Sequence, residues 1–181
     1  MSRWSRDANW TLTLLVFVSL GLAAGRTAAD MGTARAGLQL AEQAADAWAD
    51  DARLVWVEND APLDAAGRAE AWGFLFWSSS QGAMRSWSVR SGKIDAAEDH
   101  AVTARAPALE VWVDSDAVIQ GARSRARESC AAGCALQSLL LVHGVFDAGT
   151  AWVAVFTTPD GPNLYVVCDA ASGRVLRDWR G

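Results

Sequence analysis

The stretch that most constrains this chain lies near its end, Ala151 to Leu176, AWVAVFTTPDGPNLYVVCDAASGRVL. Side chains alternate along a strand, so Trp152, Ala154 and Phe156 would face one way and Val153 and Val155 the other. Pro159-Asp160-Gly161-Pro162 is turn chemistry, because proline fixes φ and glycine supplies a positive φ. Leu164 to Cys168 resumes the strand, Asp169 begins a second turn, and Gly173 releases the chain into a short third strand at Arg174-Val175-Leu176. A chain that ends this way builds an antiparallel sheet and needs something apolar to cover it. Nothing in the stretch is poised for catalysis.

The same residues carry a resemblance. A Trp-led strand, an Asp-Gly turn, a strand running Val167-Cys168-Asp169, then Ala171-Ser172-Gly173-Arg174-Val175-Leu176 resembles the end of PepSY domains. In that family a helix precedes a small antiparallel sheet, and the last hairpin reads Val-Asp-Ala-x-Thr-Gly-x-Val. Here Cys168 intervenes between Val167 and Asp169, and Ser172 stands where Thr is usual.

Upstream, Ala34 to Ala52 is rich in helix formers, with Leu38, Ala41, Ala45 and Trp48 at helical spacing. Arg53–Val57, Glu70–Ser78 and Ala83–Arg90 read as strands, with Glu58–Gly67 a polar loop and Ser79-Ser80-Gln81-Gly82 a turn. Ser91-Gly92-Lys93-Ile94 closes this unit as Ser172-Gly173-Arg174-Val175 closes the later one. Residues 95–108 read as polar and irregular, and Leu109 to Val113 as a strand. Asp114-Ser115-Asp116 offers helix caps before a helix over Ala117–Glu128. Ala135 to Phe146 is an apolar segment leading into the final hairpin. The two halves share this order, a diverged repeat at a period of roughly 80 residues. The expectation is an α+β protein of two diverged units, each a helix packed on a small antiparallel sheet. Residues 31–112 would form the first PepSY-like unit and 113–181 the second, with the resemblance extending over about residues 34–181.

Residues 1–30 are set apart. Arg3 and Arg6 precede an apolar run from Thr11 to Ala24, and small residues follow through Ala29. This is the layout of a secretory signal peptide cut after Ala29. The run is short for a bilayer span, which needs about 20 apolar residues; an uncleaved N-terminal anchor is the alternative. Location is therefore expected to be extracytoplasmic, periplasmic or secreted. The net charge is −5. Arg3, Arg6 and Arg26 against Asp7 and Asp30 give residues 1–30 a charge of +1, so the remainder carries −6. That balance disfavours nucleic acid and anionic membranes, leaving membrane contact to the N-terminal segment alone.

Cys130, Cys134 and Cys168 are the cysteines. In an exported chain a disulfide is expected, and Gly133 favours a tight Cys130–Cys134 loop. Cys168 bridged to either one would instead staple the second helix to its sheet, and buried thiols acting as small hydrophobes are a third reading. Zinc wants four closed ligands, and His100 and His143 are the only histidines, so no metal or other cofactor is expected. No Gly-x-Ser-x-Gly elbow, phosphate loop or dinucleotide fingerprint occurs, which argues against an enzyme.

Ten tryptophans remain to be explained. They fill cores or make binding faces. Alternation puts Trp72 and Trp77 on opposite faces of one strand, so Trp72, Trp77, Trp87 and Trp152 are the candidate protein-binding aromatics, with mutual burial between the repeats as the plainer alternative. The resemblance implies a non-catalytic binding or regulatory module acting on an extracytoplasmic peptidase or envelope protein. The competing class is a structural envelope protein tethered by an uncleaved N-terminus.

Overall fold

The computed structural model describes residues 31–101, 105–130, 133–145, 149–159 and 161–181. The expected leader over residues 1–30 lies outside the described residues, as does Asp160 of the expected turn. Helix α1, Ala34–Trp48, buries Ala34, Gly37, Leu38, Ala41 and Ala45, a stripe at helical spacing. Its small residues let the sheet come close. A Cβ on Gly37 would stand 3.1 Å from the Phe74 ring. Helix α2, Ser115–Ser129, buries Ser115, Val118, Ile119, Ala122 and Ala126, and the Asp114 side chain accepts from the Ser115 amide.

Each helix is followed by four strands. β1 (Arg53–Asn59), β2 (Ala71–Ser78), β3 (Ala83–Arg90) and β4 (Lys93–His100) follow α1. β5 (Ala135–His143), β6 (Thr150–Thr157), β7 (Leu164–Asp169) and β8 (Val175–Arg180) follow α2. They form one antiparallel eight-stranded sheet in the order β4-β3-β2-β1-β5-β6-β7-β8. This corrects the expectation of two units, each a helix on its own small sheet. The first strands of the two halves pair directly, Trp56 with Val142, Val57 with Leu141 and Glu58 with Leu140. An unpaired strand edge presents bare N–H and C=O groups, and here each half covers the edge the other would expose. Asn59 extends the junction with its side chain: Oδ1 accepts from the Leu139 amide at 2.7 Å, and Nδ2 donates to Gln137 O at 3.5 Å.

Two local expectations also change. The stretch expected to be irregular, residues 95–108, begins inside β4, whose sequence KIDAAEDH is exposed at nearly every position. Strand periodicity is silent there because neither face is buried, and charges at a sheet edge discourage further pairing. Leu109–Val113 is not a strand. Its ends are tied to distant carbonyls, Leu109 N–H to Leu54 O and Val113 N–H to Ala170 O, each at 2.8 Å.

Both helices lie on the same side of the sheet, over one core that includes Val57, Trp72, Phe74, Phe76, Trp87, Leu139, Leu141, Trp152 and Phe156. The opposite side carries a second, smaller cluster of Ala151, Val153, Val155 and Val167, with no helix over it among the described residues. Those residues are buried by their own neighbours, among them Leu140, Val142, Tyr165 and Trp179.

Candidate binding face

Strand alternation sorts the aromatic residues between the two sides. Trp72, Trp87 and Trp152 point under the helices and are 2%, 4% and 0% exposed. They are core side chains, out of a partner's reach in this fold, and the reading of them as a binding set is corrected on that ground. Trp77 lies on the other side, half-buried, paired across the sheet with Met84. Its indole N–H is buried and has no partner among the described residues.

The uncovered side holds aromatics that strand periodicity alone does not single out. Trp56 sits opposite Leu75 and Val142, and both it and Leu75 are half-buried. A bulge between Leu54 and Trp56 sets its direction. Tyr165 and Trp179, partners across β7 and β8, stack with centroids 4.7 Å apart and 12° between planes. The available signal was alternation in RLVWVEN and VLRDWR, but which phase faces away from the helices depends on where those helices dock.

At the β1–β4 end this face is hollowed into a groove of about 540 Å³. Its floor is made of small side chains. Cross-strand registers align Glu58, Gly73, Ser88 and Ala96 in one row and Trp56, Leu75, Ser86 and Glu98 in the next. Gly73 matters here, because a Cβ would come within 2.8 Å of Asp60 Oδ1. Its bare backbone lets the Asp60 carboxylate lie over the floor. Ser86 Oγ and His100 Nε2 are hydrogen-bonded at 2.8 Å within the same groove. Glu58, Asp60 and Glu98 line it and have no cationic partner among the described residues, whereas Arg85 is engaged by Asp99, and Arg90 by Glu70 and Asp95.

Cys130 and Cys134 form a disulfide across the end of α2, with Cα atoms 5.9 Å apart. Cys168 is free and buried, and loss of solvent pushes its thiol up to about 12. No group of three or more His, Cys, Asp or Glu suited to a metal ion occurs among the described residues. No described helix is long and apolar enough to cross a membrane.

Among the described residues, Asp51 is the carboxylate that accepts the most hydrogen bonds. It accepts from the hydroxyls of Ser78, Ser79 and Ser80 and from the amides of Ser79 and Ser80. The hydroxyl bonds, Ser78 first, hold its pKa well below the ordinary carboxylate value. The serine run that reads as a turn is thus fastened to the chain just after α1.

Comparison with known proteins gives no relative: no family model, no curated protein and no solved structure matches this chain.

Proposed function

We propose that this protein is an exported, non-catalytic binding or regulatory module that engages a protein partner through the side of the sheet its helices leave open. The observation that carries this reading is the set Trp56, Trp77, Tyr165 and Trp179 on that side, together with half-buried Leu75, Leu140 and Val142. Half-buried aromatic and aliphatic side chains gathered on one face of a sheet are what protein interfaces are built from. Export is supported by the basic-then-apolar start of the sequence and by the Cys130–Cys134 disulfide, since such bonds persist in oxidising compartments. The likeness to PepSY domains would make the partner an extracytoplasmic peptidase or envelope protein.

The test is capture from a native envelope fraction by the full chain with its disulfide intact, beside a Val142→Arg variant whose fold is verified by circular dichroism. The reading predicts one exported protein, identified by mass spectrometry, that rebinds in purified form and is lost from the variant. Equal capture by both would sink it.

A further inference from the structure

Resting on the reading of the open side of the sheet as a partner surface, we propose that the groove over β1–β4 receives an extended, arginine- or lysine-bearing segment of the partner protein. A cationic side chain lies along Trp56 with its charge beside Glu58 and Asp60, and Glu98 faces the segment from the β4 side.

Charge decides the occupant. Among the described residues that line it, the groove has three carboxylates, no lysine or arginine, and an apolar wall. The nearby arginines Arg85 and Arg90 are already engaged by Asp99, Asp95 and Glu70. An acidic rim beside an apolar wall repels an acidic or second identical surface and rewards a cationic one. A second copy of this chain would set the same carboxylates against one another.

Shape agrees. With strands about 4.8 Å apart, the span from β1 to β4 is about 14 Å, room for one extended chain with its side chains. Gly73, Ser86, Ser88 and Ala96 keep the floor low, while Trp56 stands at one side. Trp56 and Glu58 are two residues apart on one strand, so ring and carboxylate share a face. A guanidinium on the ring face meets the quadrupole and the carboxylate together. Ser86 and His100 add polar atoms to the floor for the segment's backbone.

The experiment measures fluorescence anisotropy of a capped nonapeptide of alternating Arg and Ser, titrated with the full-length oxidised protein at low and raised salt. A Glu-for-Arg peptide and spermine serve as comparisons. The Glu58→Gln/Asp60→Asn/Glu98→Gln variant alters half-buried or exposed side chains, and its melting curve verifies the fold. Expected are saturable binding of the Arg peptide that weakens with salt, a loss of tenfold or more in the triple variant, and no binding of the Glu peptide. Equal binding of both peptides, or unchanged affinity in the triple variant, overturns the proposal. Spermine competing as well as unlabelled peptide also overturns it, because the groove would then take a free polyamine. If the captured envelope protein is lost from Val142→Arg but kept by the triple variant, the open face stands as the partner surface and the cationic groove falls.

Discussion

Trp72 and Trp152 meet edge to face at the centre of the molecule, with ring centroids 6.5 Å apart and planes at 74°. Each donates its indole N–H, at 2.9 Å, to a carbonyl shortly before a helix: Trp72 to Gly32 and Trp152 to Val113. Trp112 adds a second edge contact to Trp152 at 5.7 Å and carries the Arg35 guanidinium on its face. One aromatic junction therefore fixes where both helices begin. Trp152→Ala should cost about 3–5 kcal/mol, the range for emptying a large buried ring. Trp152→Phe should lose less, chiefly the bond to Val113 O. Urea unfolding checks both, and a Trp152→Ala midpoint within error of wild type would refute the junction's role.

The start of α1 is capped from the other half of the chain. Thr33 makes no side-chain cap. Instead Ser115 Oγ accepts from the Ala34 amide and donates to Gly67 O, while Asp114 Oδ1 accepts from the Arg35 amide. Ser115→Ala leaves a buried amide and a buried carbonyl unmet and should cost about 1–3 kcal/mol. A fragment of residues 31–112 lacks both this cap and the β5 partner of β1. It should show no cooperative melt, as measured by circular dichroism; a sharp transition would mean the shared sheet is dispensable.

The cysteines give a count that can be checked directly. The oxidised native protein should present no thiol to an alkylating reagent at pH 8, because Cys168 is buried and its thiol stays protonated. Unfolding without reductant should release one reactive thiol, and unfolding with reductant three. Breaking the short Cys130–Cys134 loop should cost about 2 kcal/mol on the chain-entropy model, seen as a lower urea midpoint. Labelling of Cys130 or Cys134 in the native state would contradict the pairing.

Asp51 makes stability depend on pH in a defined direction. Its pKa is lowered in the folded chain, so the folded state holds the proton less tightly than the unfolded one. Its contribution is complete above the ordinary carboxylate value, about pH 4, and is lost as the pH falls below it. Asp169, also lowered by Ser172, acts in the same window. The melting temperature of Asp51→Asn should therefore lie below wild type at pH 6, and the gap should narrow as the pH falls below about 4. Parallel curves would show that the serine cluster does not favour the ionised form.

Much of the local structure is legible in the residues themselves. The hairpin of Thr150–Thr157 and Leu164–Asp169, the stripe of Leu38, Ala41 and Ala45, and the cap at Asp114 all rest on neighbours in sequence. So does the opposition of Trp72 and Trp77 across β2. β4 escaped notice because an exposed edge strand has no apolar period to read. The candidate groove was invisible for a different reason. Glu58, Gly73, Ser88 and Ala96 become one row only when three separate registers are set.

By itself, then, the sequence determined the helices, the turns, most of the strands and which side chains share a face, because periodicity and turn chemistry act over a few residues. Tertiary structure decided that the two halves share one sheet, that Asp114 and Ser115 cap the opposite helix, and that Trp56, Trp77, Tyr165 and Trp179 stay on the open side. Those outcomes depend on which strand edge satisfies which distant backbone, as Trp56 does with Val142. Such a pairing joins residues far apart in the chain and leaves no periodic trace in either one.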